Sequence, residues 1–274
     1  MRKSELLPIL ERLDLHPSRA LGQNFLVDEN CLDALVRAAA PRAGEAILEI
    51  GPGTGTLTAA LLAAGCRVTA IEFDSRLYSF LAERHADQPN LRLLHADACR
   101  VDYAELFPVG APFRVIANLP YSCASMLLAK LADLENPPSS FHVLLQWEMA
   151  ERLTAPVGTK AYGGLTARLA LRYDAAVVRQ VPRGVFFPPP EIDSAFLRMT
   201  RHSALPSMAM LARTDTLIQA AFAQRRKQAR RLLSRVASAV EVAAAFHALR
   251  LPDTARAEEI SPSQYLELAK MLSS

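Results

Sequence analysis

The chain has 274 residues, 51% of them hydrophobic, enough to bury the core of one large domain and of a smaller one. A net charge of only +3 at pH 7 excludes a uniformly basic or acidic protein and leaves partner recognition to local clusters. No apolar run approaches the ~20 residues of a membrane helix, and the start, MRKSELLPILERLDLH, interrupts its apolar residues with charges, so a cytoplasmic protein is expected.

From about Ala46 to Gln146, apolar runs alternate with helical stretches: AILEIG, RVTAIE, LRLLHAD, FRVIAN and FHVLLQ. Near-continuous apolar strands separated by helices predict an α/β fold, a doubly wound, mainly parallel sheet covered on both faces. SAFLRMT, near residues 194–200, predicts a further strand that closes the series. Beyond Ala204, Ala, Leu and Arg dominate, and Ile218, Phe222, Ala229, Leu232, Leu233 and Val236 recur at helical spacing. A catalytic domain over 1–203 and a small helical domain over 204–274 are expected. Cys31, Cys66, Cys99 and Cys123 lack CxxC spacing and read as reduced thiols, and the six histidines show no metal-ligand spacing, so no metal is expected.

Three loops carry the chemistry. Glu49-Ile50-Gly51-Pro52-Gly53-Thr54-Gly55 follows the first strand, where glycines let a backbone approach a ligand in the crevice beyond the strand ends. Glu72 ends the next strand, placed to accept hydrogen bonds from ribose hydroxyls, and Asp97 ends the third, placed to accept one from an adenine amine. GxGxG spacing with acidic residues after each of three strands suits a cofactor that lacks a pyrophosphate and carries a cationic sulfonium, rather than a nicotinamide dinucleotide. After the fourth strand comes Asn118-Leu119-Pro120-Tyr121. An exocyclic adenine amine is a poor nucleophile because its lone pair is delocalised into the ring. The Asn118 side-chain carbonyl and the Leu119 main-chain carbonyl can accept its two protons and turn the lone pair toward a methyl group. Pro120 stiffens that turn, and Tyr121 can stack on the base. Phe186-Phe187-Pro188-Pro189-Pro190 predicts a rigid loop whose aromatic sandwiches an extruded base against Tyr121.

Near the C-terminus, FAQRRKQARRLLSR places Arg225, Arg226, Lys227, Arg230, Arg231 and Arg235 within fourteen residues without an acid. On a helix beginning near Asp215 this predicts one cationic face for RNA.

These motifs resemble the ribosomal RNA adenine dimethyltransferases, whose bacterial members act on small-subunit RNA and determine kasugamycin sensitivity. The likeness runs nearly end to end. It includes Leu21-Gly22-Gln23-Asn24-Phe25-Leu26, the glycine loop, Asn118 to Tyr121, Ala161-Tyr162-Gly163, Pro188 to Pro190 with Asp193-Ser194, Gln224 to Lys227, Arg256-Ala257-Glu258 and Gln264-Tyr265. The resemblance implies a Rossmann-like methyltransferase fold with S-adenosylmethionine held by Asn24, Leu26, Gly51, Gly53, Glu72, Asp97 and Asn118. It implies Tyr121 and Phe186 flanking the target base, and an enzyme that dimethylates the N6 amines of two adjacent adenines near the 3′ end of 16S RNA during subunit assembly. The chain departs from the family's usual basic residues at Trp147, Gly164 and Glu191, and each lost cation lowers RNA affinity and its salt dependence. A monomer is expected. The alternatives are a related adenine methyltransferase acting on large-subunit RNA and a non-catalytic RNA-binding assembly factor that retains the fold.

Overall fold

A computed structural model describes residues 1–17, 22–224 and 226–272. The chain divides into two compact units, residues 1–150 with 176–200, and residues 151–175 with 201–274. Residues 151–175, expected with the sheet, therefore group with the C-terminal helices.

The first unit opens with α1 (Lys3–Arg12), β1 (Phe25–Leu26) and α2 (Glu29–Ala39). The predicted runs then form β2 (Ala46–Ile50), β3 (Arg67–Glu72), β4 (Leu91–His95), β5 (Arg114–Asn118) and β6 (Ser140–Gln146). Between them lie α3 (Thr56–Ala63), α4 (Ser75–Arg84), α5 (Tyr103–Leu106) and α6 (Ala124–Ala132), and α7 (Trp147–Leu153) follows. β7 (Tyr173–Val181), β8 (Phe186–Phe187) and β9 (Ser194–Arg201) complete the strands. The seven-stranded sheet has the order β4-β3-β2-β5-β6-β9-β7; the first five strands are parallel, and β9 runs antiparallel to β6. β1 and β8 form a separate two-stranded sheet, with Phe25 opposite Phe187 and Leu26 opposite Phe186.

Strand order reverses between β2 and β5. Chain connections diverge there, and the crevice past the carboxyl ends stays open for a ligand. Burial explains why these strands read so plainly: Ile47, Leu48, Val68, Ala70, Val115, Ile116 and Ala117 are all essentially inaccessible. Ile47, Val68, Ile116 and Leu144 pack with Cys31, Leu35, Leu57 and Leu61 of α2 and α3. Side-chain caps set the helix starts, with Asp28 accepting the Cys31 amide and Asp74 accepting those of Arg76 and Leu77.

The second unit packs α8 (Gly164–Ala170), α9 (Met208–Phe222), α10 (Ala229–Leu233), α11 (Ala239–Ala248) and α12 (Pro262–Met271) around Ile218, Ala221, Leu233, Phe246 and Tyr265. The Arg-Ala-Glu and Gln-Tyr matches act here as scaffold. The Tyr265 hydroxyl donates to the Ala257 carbonyl (2.9 Å), while Ser261 and Gln264 cap α12 reciprocally.

The sequence predicts one helix from Asp215 through Arg235, and the structure corrects this. α9 begins at Met208 and stops at Phe222, and Gln228 is extended (φ −66°, ψ 133°) before the five-residue α10. The cause is tertiary: Gln228 bridges to Arg256, and the Ala229 amide donates to the Ala255 carbonyl (2.8 Å), which draws the chain out of helix. Arg226, Lys227, Arg231 and Arg235 are exposed, whereas Arg230 pairs with Asp253. Arg225 and Leu21 lie outside the described residues.

Candidate active site

The crevice at the strand-order reversal is a cleft of about 300 Å³. β2 delivers its floor. Gly51 adopts φ +67°, and a Cβ there would stand 3.2 Å from Cγ of Pro120, so glycine lets this loop pass against the β5 loop. Gly22 (φ +66°) does the same from the N-terminal side, where a Cβ would come within 3.1 Å of the Tyr121 nitrogen.

Glu72 ties the glycine loop to β3. One carboxylate oxygen accepts the Gly53 amide (3.0 Å) and the other accepts the amides of Phe73 and Asp74 (2.9 Å each). Burial raises its pKa, against the opposing pull of those three donors. Asp97 accepts the Cys99 amide (2.8 Å) with one oxygen and lies 3.5 Å from Nε of Arg100 with the other.

Asn118 ends β5 at the cleft wall. Its Nδ2 donates to the main-chain carbonyl of Asn24 (3.0 Å), and because a carbonyl only accepts, the amide orientation is fixed. The other end of that amide, Oδ1, is buried with no hydrogen-bond partner. A buried acceptor left empty costs free energy of about 1–3 kcal/mol unless a ligand supplies a donor.

Asn24, Leu26, Gly51, Gly53, Glu72, Asp97, Asn118 and Pro120 all line the cleft. Leu119 is buried and donates its amide to the Leu144 carbonyl (3.1 Å). Tyr121 stands next to the cleft, half-buried, with its hydroxyl 2.7 Å from Oγ of Ser194. The structure does not bring Phe186 to the cleft wall. At 3% exposure it packs with Cys31, Leu35 and Phe196, while Phe187, on the opposite side of the strand, lies half-buried under the Lys3 ammonium (4.8 Å to the ring centre).

Glu49, the acid of the first strand, lines the cleft as expected, but its burial and its partner were not foreseen. It is 1% exposed and accepts a 2.7 Å hydrogen bond from the Thr58 hydroxyl, and burial pushes its pKa up to about 8. Its signal was a lone acid inside the strand AILEI. Four acidic side chains, those of Glu49, Glu72, Asp74 and Asp97, line the cleft, Glu49 keeping its proton near neutral pH, and among the described residues no Lys, Arg or His does. Such a wall repels phosphates and attracts a cation.

The sequence pattern of the ribosomal RNA adenine dimethylase family matches residues 16–274. The chain belongs to this family. It is 39% identical over 271 residues to ribosomal RNA small subunit methyltransferase A of Erythrobacter litoralis (strain HTCC2594), spanning 97% of this chain and 94% of that protein. It is also 39% identical to the protein of the same name from Anaeromyxobacter sp. (strain K), over 96% of each. Among solved structures, 23S rRNA methyltransferase ErmE matches with a TM-score of 0.71 at 26% identity, over 92% of this chain and 100% of that one. A dimethyladenosine transferase from Plasmodium falciparum, 24% identical, shares the fold (TM-score 0.72, over 90% and 99% of the two chains).

The methyl donor of this dimethylase family is S-adenosylmethionine, and the cleft fits it. The carboxylate-lined wall without basic groups suits a cationic sulfur, and the close-approach glycines leave room for a ligand against the backbone. No described helix is long and apolar enough to cross a membrane.

Proposed function

We propose that this protein dimethylates the N6 amines of two adjacent adenines near the 3′ end of small-subunit (16S) ribosomal RNA, acting as a cytoplasmic monomer on assembling 30S subunits. The observation that carries this reading is the buried, unpartnered Oδ1 of Asn118, an acceptor aimed at no group of the protein. The 39% identity to proteins named for the small subunit, over almost the full chain, favours that substrate over the 23S RNA of the more distant ErmE.

Asn24, Leu26, Gly51, Gly53, Glu72 and Asp97 would hold S-adenosylmethionine. When bound it supplies a methyl group on a cationic sulfur; each transfer forms one N–C bond, breaks one C–S bond and releases one amine proton. In the first transfer Asn118 Oδ1 accepts a hydrogen bond from one N–H of the adenine amine and the Leu119 carbonyl from the other, and in the second the single remaining N–H is held, which withdraws the lone pair from the ring and directs it outward. The link from Asn24 to Asn118 Nδ2 holds that acceptor before substrate arrives, so no reorganisation is needed at the moment of reaction. Pro120 keeps the turn rigid, and Tyr121, its hydroxyl anchored on Ser194, presents its ring to the base. Arg226, Lys227 and Arg231 take RNA phosphates.

The test is transfer of labelled methyl to unmethylated small and large ribosomal subunits, with nucleoside analysis. Dimethyladenosine at neighbouring 3′-end adenines of the small-subunit RNA is expected. Asn118→Ala should cut turnover by about two to three orders of magnitude while the chain still folds. Incorporation into large subunits alone, or near-normal turnover of the variant, would overturn the reading.

A further inference from the structure

The carboxyl end of β6 carries the chain's single tryptophan. Trp147 is half-buried and lies three residues past Leu144, which lines the cleft and pairs with Asn118 between β6 and β5. Its main-chain N–H donates to the Asp193 carbonyl (3.0 Å). Asp193 is itself pinned, because its carboxylate accepts the Arg183 amide (2.9 Å) and the Gln180 side-chain amide (3.1 Å). Ser194, the next residue, pairs with Gln146 in the β6/β9 ladder and meets the Tyr121 hydroxyl. Two aromatic residues, Tyr121 and Trp147, are thus fastened to consecutive residues at the start of one strand, at the end of the sheet where ligands bind. The Trp147 indole N–H has no hydrogen-bond partner among the described residues, and its ring meets no other ring or cation there.

We infer that Trp147 is a stacking platform for a second, unpaired nucleobase of the RNA, neighbour to the adenine presented to Asn118. The inference rests on the reading of RNA as substrate given above. A large π-face held by an anchored backbone loses little conformational freedom on binding, and it accepts any base because every base has a face to stack. Tyr121 then holds the reacting base while Trp147 holds the strand beside it. Stacking neutralises no phosphate, so this contact adds affinity without adding salt dependence.

Steady-state methylation of unmethylated small subunits separates a stacking role from a packing one. Trp147→Ala should raise KM for the subunit about tenfold or more, the cost of one lost stacked base, with kcat and calorimetric affinity for S-adenosylmethionine unchanged. Trp147→Phe should restore most of the loss, and Trp147→Lys should restore binding only at low salt. An unchanged KM in Trp147→Ala, or a joint fall of kcat and cofactor affinity that Trp147→Phe does not rescue, overturns the inference and leaves the proposed reaction standing. If the wild-type enzyme methylates no small subunit, the functional reading fails, and the tryptophan is tested separately. Oligoadenylate should quench the intrinsic fluorescence of Trp147, and unquenched emission at saturating oligonucleotide overturns the platform.

Discussion

Glu49 holds its proton inside β2 because burial penalises its charge and the neighbouring Glu72 carboxylate adds to the rise, against the opposing hydrogen bonds from the Thr58 hydroxyl and main chain. Its folded pKa of about 8 lies above its ordinary value of 4.5, so between these limits the folded chain binds a proton that the unfolded chain has released. Stability must then fall as pH rises across that window and level off above it. Glu49→Gln, which keeps the shape without the ionisation, should flatten the decline; urea denaturation of both proteins from pH 5 to 8 measures it, and parallel curves would mean that Glu49 ionises normally. Sequence made Glu72, Asp97 and Asn118 legible because each stands just past an apolar strand, where only a turn or a ligand explains a polar group. The partners of Glu49 and Ser194 stayed illegible, since Thr58 and Tyr121 stand 9 and 73 residues away in the chain. The inward placement of Phe186 was illegible for the same reason, because two adjacent phenylalanines alternate faces and the chain does not say which faces the core.

Within the helical unit, Asp215 of α9 shows what organises an element from inside. Its carboxylate takes Arg172 through 2.6 Å and 3.2 Å hydrogen bonds and has Nε of Arg168 at 3.4 Å, and both Asp215 and Arg172 are buried. Removing the anion alone strands a buried guanidinium, so Asp215→Ala should destabilise the unit by about 3–5 kcal/mol, whereas Asp215→Leu combined with Arg172→Met should recover much of that loss. Chemical denaturation followed by circular dichroism decides it; an Asp215→Ala loss below about 1 kcal/mol, the range of an exposed pair, would contradict the buried pairing. Periodicity located the apolar sides of α9 and α10 but not the break between them, because hydrogen bonds from 228–229 to 255–256 override local helical preference. β7 was missed for a related reason. It is an edge strand whose Asp174, Arg179 and Gln180 are exposed, and it lacks the unbroken apolar run of the buried strands.

At the scale of the whole chain, the proposed chemistry and the proposed phosphate contacts fall on different units: every residue lining the cleft belongs to the first, and the basic segment belongs to the second. The two functions should therefore separate under mutation. Arg226, Lys227, Arg231 and Arg235 are exposed, with no carboxylate within 4 Å among the described residues, while Arg230 is spent on Asp253. Each phosphate neutralised contributes roughly 0.7–0.9 to the slope of log affinity against log salt. Arg226→Glu with Arg231→Glu should lower that slope by about 1.4–1.8 and weaken binding of small-subunit RNA most strongly at low salt, with S-adenosylmethionine affinity unchanged by calorimetry. Arg230→Gln should barely move the slope, since its charge is already matched within the fold. Equal effects of all three substitutions would mean that Asp253 does not hold Arg230. An unaltered slope in the double variant would return the segment to ordinary solvated surface and place phosphate recognition on the catalytic unit.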